Sequence, residues 1–148
     1  KLLVYANHSY ILRIVDVHYE RKPFKELMGT PITLTCKTMY VYKWCRHMEV
    51  GWHQNGSVGL TDPSRYLTTV NETISEDSRL RQVTTKILSL ISEDNGDFQC
   101  IAKCENGEQA RGHFIEVVVK GRIIFSQDLR TSLVVFTVNV SSKLLLFG

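Results

Sequence analysis

No apolar run in these 148 residues approaches the roughly 20 that a membrane helix needs. The apolar patches between Leu129 and Gly148 are interrupted by Asn139 and Lys143. Nor is there a stripe of one charge. The 18 Lys and Arg against 15 Asp and Glu leave a net charge of +3, scattered along the chain, which argues against a nucleic-acid partner. The G-x-S-x-G elbow, the H-E-x-x-H helix and the glycine-rich phosphate loop are all missing, so no enzyme and no cofactor is expected. Repeats and low-complexity tracts are absent as well. The chain opens on Lys1, without an initiator methionine or a signal peptide. It reads as a piece of a longer protein, whose membrane anchor, if there is one, lies outside it.

Four cysteines and four sequons are present. Six asparagines occur, and Asn7, Asn55, Asn71 and Asn139 each head an Asn-x-Ser/Thr triplet. Together with the cysteines they point to the secretory pathway, where disulfides persist and such asparagines are glycosylated. The expected location is the extracellular face of the plasma membrane, with a secreted form as the alternative. Asn55-Gly56 is also a hairpin signal, because both residues accept positive φ. A tight turn hinders glycosylation, so Asn71 ranks above Asn55.

The most informative run is Asp94-Asn95-Gly96-Asp97-Phe98-Gln99-Cys100. It combines an acidic corner, a glycine and an aromatic residue two positions before a cysteine. Cys36 lies upstream at the end of Pro31-Ile32-Thr33-Leu34-Thr35-Cys36, where apolar and polar residues alternate, so Ile32, Leu34 and Cys36 share one face. Trp52 stands between the two cysteines. A buried indole against a cross-sheet disulfide is the centre of an immunoglobulin-like β-sandwich. The fold class is therefore all-β: a sandwich over 13–120, an N-terminal extension over 1–12, and an irregular stalk or truncated extension over 121–148. Trp52, Asp94 and Phe98 are its expected core markers. A Cys36–Cys100 bridge would stabilise the fold by about 4 kcal/mol through loop closure.

Around that centre, Ile14 to Tyr19 reads as a first strand broken at Lys22-Pro23, because proline cannot donate to a ladder. Val83 to Leu90 is another strand, with Ile87 and Leu90 inward and Leu88 outward. Phe98, Cys100 and Ala102 should form the inner face of the next, and His113 to Val119 the last. From Leu60 to Leu80 polar and charged residues dominate without a helical period, which suggests short strands or loops.

Cys45 and Cys104 remain. Both fall in loops that cluster at one end of a sandwich, so a bridge between them is geometrically reasonable. A free thiol, pairing with another chain and pairing with a cysteine outside this sequence are the alternatives. Zinc is disfavoured, since eight residues separate Cys36 from Cys45 and three separate Cys100 from Cys104, which fits no common zinc signature. His18, His53 and His113 lie on expected strands, as surface or satisfied positions. Asp94 is read as the partner of an arginine such as Arg65, Arg79 or Arg81. Trp44, among Lys43, Arg46 and His47, is either an exposed binding anchor or packing beneath a second bridge.

With these residues in place, the chain resembles immunoglobulin-superfamily receptor ectodomains over about 13–120. Phe98 stands where that family usually has a corner tyrosine. Within the superfamily it is similar to inhibitory receptors of the B- and T-lymphocyte attenuator kind. The shared features are Val17-His18-Tyr19-Glu20-Arg21-Lys22, Gly29-Thr30-Pro31, Cys45 and Asp94-Asn95-Gly96. It departs from them in lacking a cysteine in the first strand, in His53 after Trp52, and in having Cys104. The resemblance implies a single-pass immune receptor whose protein partner is a TNF-receptor-superfamily member such as the herpesvirus entry mediator. A soluble decoy or adhesion protein is the alternative. It also implies recognition by edge-strand surface. Val17, Tyr19 and Arg21, with the outer face of the His113 to Val119 strand, are then the expected contacts, beside Trp44, and substitutions at Tyr19 and Arg21 are expected to spare stability.

Overall fold

The strands, in chain order, are β1 (Leu2–Leu3), β2 (Leu12–Arg13), β3 (Val15–His18), β4 (Phe24–Leu27), β5 (Ile32–Val41), β6 (Met48–Gln54), β7 (Val58–Gly59), β8 (Tyr66–Ile74), β9 (Ser78–Ile87), β10 (Gly96–Cys104), β11 (Gln109–Arg111), β12 (Ile115–Lys120), β13 (Ile123–Gln127) and β14 (Leu133–Thr137). This computed structural model describes residues 2–3, 12–121, 123–127 and 133–137. Among them the only helical turn is a 3-10 turn at Ser92–Asp94.

Two sheets carry the architecture. One runs β3-β5-β9-β8, and the other runs β4-β12-β10-β6-β7 with β11 also on β10. Pairing is antiparallel except between β4 and β12. The break at Lys22-Pro23 is where the chain leaves the first sheet for the second: β3 pairs with β5, and β4 pairs with β12. An all-β sandwich is thus established. Both flanks, expected to be irregular, contain a short antiparallel pair, β1 with β2 and β13 with β14.

The alternation that begins at Ile32 continues past Cys36. Ile32, Leu34, Cys36, Thr38 and Tyr40 are all buried while the residues between them are exposed, so β5 is a ten-residue strand with one wet face. Ile87 and Leu90 are fully buried and Leu88 is exposed. Phe98, Cys100 and Ala102 turn inward as expected, but Gln99 and Ile101 on the opposite face of β10 are buried too. Leu60 to Leu80 departs most from expectation. Instead of short strands or loops it supplies most of a long hairpin, nine residues of β8 against nine of β9.

The interior forms two clusters. Trp52, Phe98, Leu34, Val83 and Val117 surround the Cys36–Cys100 bridge. Ile14, Val15, Tyr40, Met48 and Ala102 surround a second bridge, Cys45–Cys104. Asp94 is fully buried, and its carboxylate accepts from Arg65 Nη2 at 2.6 Å and from the Ile91 N–H at 2.9 Å. Of the three candidate arginines, Arg65 is the partner, and the hydrogen bond to Asp94 raises its pKa.

Candidate protein-binding site

Where β5 ends, the chain must turn to reach β6, and it does so through Tyr42 to His47. The Val41 carbonyl accepts from the N–H of both Trp44 and Cys45 at 3.1 Å. That tight turn sends Cys45 inward and leaves Tyr42 and Trp44 outside, 42% and 43% exposed. Across from it, Glu105 to Glu108 turns the chain out of β10. Cys45–Cys104 joins the two segments. So do hydrogen bonds from Asn106 Nδ2 to the Trp44 carbonyl at 2.8 Å and from the Glu105 N–H to the His47 carbonyl at 3.1 Å.

The side chains on this end are aromatic and cationic. Lys43 Nζ lies 5.7 Å from the Trp44 ring centre, and the Arg79 guanidinium lies 4.3 Å from that of Tyr42. Arg46 and His47 are exposed beside them, with His47 Nε2 4.0 Å from a Glu105 carboxylate oxygen. Two aromatic faces held on a stapled loop can bury apolar area against a partner without first being ordered, which is where binding free energy is usually lost. Trp44 is therefore exposed rather than buried beneath the bridge. Tyr42 escaped the sequence reading, although it adjoins the cationic segment that drew attention to Trp44, and Arg79 was expected only as a partner for Asp94.

The first-strand residues behave differently. Val17 is half-buried and packs against both core clusters. Tyr19 is half-buried, its ring centre 4.8 Å from Trp52 and 4.3 Å from His113. Its hydroxyl donates to the His113 carbonyl and accepts from the Cys100 N–H at 3.2 Å. Burial raises its pKa, with the bond from Cys100 opposing. Arg21 is exposed in the crossover between β3 and β4. The four expected contact residues thus do not form one patch, and Tyr19, expected on an open edge, is packed on Trp52 and hydrogen-bonded.

Known structures share this fold. Over 71% of its length the chain is similar to Dpr2 Ig1-Ig2, solved in complex with DIP-Theta Ig1-Ig3 (TM-score 0.52, 17% identity). Over 75% it is similar to Rst D1-D2 (0.52, 16%), and over 76% to the titin domains I67-I69 (0.52, 14%). The fold is that of an immunoglobulin domain. The chain spans 32%, 54% and 35% of those three structures, respectively. No family model and no curated protein matches it.

In this immunoglobulin fold the corner position belongs to Phe98, which has no hydroxyl and is fully buried. Tyr19, just past the end of β3, supplies a hydroxyl instead. It enters where β10 changes partner from β12 to β11, between the pairs Phe98–Ile115 and Ile101–Arg111. The Cys100 N–H at that gap is met by Tyr19 in place of a backbone carbonyl. A Cβ at Gly112 would overlap the Tyr19 hydroxyl and ring, so this close approach requires glycine there.

Asn71 is exposed on β8, and Asn55 is exposed at the hairpin turn with φ 51°, followed by Gly56 at 78°. Asn7 and Asn139 lie outside the described residues. Among the described residues no cluster of three or more His, Cys, Asp or Glu side chains could hold a metal ion. No helix among them is long and apolar enough to cross a membrane.

Proposed function

We propose that residues 13–120 are the extracellular protein-binding domain of an immune cell-surface receptor, and that its partner docks on the end bearing Tyr42 and Trp44. The observation that carries this reading is the exposure of two aromatic rings on a loop pinned by Cys45–Cys104. Two disulfides and four sequons support an oxidising, extracellular location. One similar structure, Dpr2 with DIP-Theta, is a complex between proteins containing immunoglobulin domains. Residues 1–12 and 121–148 would flank the domain as an extension and a stalk, and Asn71 is the favoured glycosylation site.

Within that class, Gly29-Thr30-Pro31, Cys45 and Asp94-Asn95-Gly96 favour an inhibitory lymphocyte receptor whose ligand belongs to the TNF-receptor superfamily. The test is surface plasmon resonance of the chain against a panel of those ectodomains. Trp44→Ala should weaken binding by roughly tenfold or more, about 1.4 kcal/mol, with the melting temperature unchanged. Affinity indifferent to Trp44→Ala retires the surface. Silence across the whole panel retires the ligand class.

A further inference from the structure

The strand β8 is an edge. Among the described residues it pairs with β9 alone, over nine consecutive register positions with no bulge. Its side chains are exposed on both faces. Val70 and Ile74 lie on the same face as the buried Val83, directly across from Val83 and Arg79, yet they are 57% and 70% exposed. Leu67 on the other face is 56% exposed.

Edge strands of soluble proteins normally carry lysine, proline, a bulge or an inward charge against strand addition. Tyr66-Leu67-Thr68-Thr69-Val70-Asn71-Glu72-Thr73-Ile74 has no lysine, arginine, proline or glycine. Its one charged residue, Glu72, is already engaged within its own chain by the Tyr40 hydroxyl and by Arg81 Nη2 at 3.3 Å. The strand is also self-complementary. Laid antiparallel on a copy of itself about Val70, it sets Val70 against Val70, Tyr66 against Ile74, Thr68 against Glu72, Leu67 against Thr73, and Thr69 against Asn71. No like charges meet, and the apolar residues in the row with Val70 face apolar ones. Besides the inward Glu72, whose carboxylate is already engaged, the one device on this edge that could block such pairing is the sequon Asn71-Glu72-Thr73, one residue from the two-fold axis.

We propose that β8 is a homotypic docking edge, pairing two copies of this chain into one continuous eight-stranded sheet, and that a sugar on Asn71 closes it. A glycan there would stand beside the axis and collide with the second strand, so the site of modification sets the oligomeric state. This surface meets the Trp44 end only through Ile74, which lies across from the Arg79 that packs on Tyr42, and its test, a mass in solution, does not depend on that reading.

The test is the mass in solution of the chain secreted from a glycosylating host, by light scattering from about 1 to about 100 µM. Wild type carrying sugar on Asn71, verified by mass spectrometry, stays monomeric. Asn71→Gln doubles in mass as concentration rises. Val70→Lys added to Asn71→Gln puts two ammonium groups on the axis and restores the monomer, with an unchanged melting temperature. A monomeric Asn71→Gln protein throughout the range, or a dimer that survives Val70→Lys, overturns the docking edge. Wild type that lacks sugar on Asn71, or bears it and dimerises equally, overturns the gate.

Discussion

The hydroxyl of Tyr19 closes a gap in the β10 ladder that backbone alone leaves open. Removing it with Tyr19→Phe keeps the ring on Trp52 but strands the buried Cys100 N–H, which costs about 1–3 kcal/mol. Urea denaturation should show that loss, and Gly112→Ala should move stability the same way by crowding the hydroxyl. A Tyr19→Phe chain as stable as wild type would remove the lock. Tyr40 offers a second check. Burial first, and the hydrogen bond to Glu72 second, push its pKa up to about 12. A folded-state pKa above the ordinary value of 10.0 means that this group's contribution is complete below pH 10 and is lost as pH climbs through about 12. An ultraviolet titration should show a late-titrating component near pH 12 that Tyr40→Phe removes. Glu72 works in the opposite sense. Its hydrogen bond from Tyr40, and then Arg81, lower its pKa, so its contribution holds above the ordinary glutamate range and fades as pH falls through the lowered value.

Between Tyr42 and His47 the loop owes its shape to the bridge behind it. Cys45 follows Cys36 by nine positions and Cys104 follows Cys100 by four. With the first bridge made, the second therefore closes a ring of only about fifteen residues, worth roughly 3 kcal/mol in the chain-entropy picture. In a Cys45→Ser, Cys104→Ser chain, amide exchange should quicken over 42–47 and 105–108 while the centres of β5 and β10 stay protected. Unchanged exchange there would mean the hydrogen bonds alone hold the loop. Which elements could be read in advance follows from how they are solvated. β5 and β10 were legible because alternation and a cysteine mark a strand with one dry face. β8 was not, since both of its faces are exposed and no burial period is written into Leu67 to Ile74. Val17 and Tyr19 were read as edge surface, and β3 is the edge of its sheet, but Val17 shares the inward face of Val15 and Tyr19 folds over Trp52, so both are half-buried. Trp44 could be flagged from its cationic neighbours, but its exposure depends on the turn about the Val41 carbonyl, which composition does not reveal.

Across the whole molecule, one bridge joins the two sheets through the middle beside Trp52, and the other joins the loop before β6 to the end of β10 at the end that presents Trp44. The lower bridge and its apolar cluster hold the sandwich together, and the upper one converts a loop into a rigid contact surface. Both roles require one pairing of four cysteines out of three possible. Peptide mapping by mass spectrometry under non-reducing conditions decides it directly. The structure predicts two linked pairs, Cys36 with Cys100 and Cys45 with Cys104, and no free thiol. Cys36 joined to Cys45, or any unpaired cysteine in correctly folded protein, would contradict it.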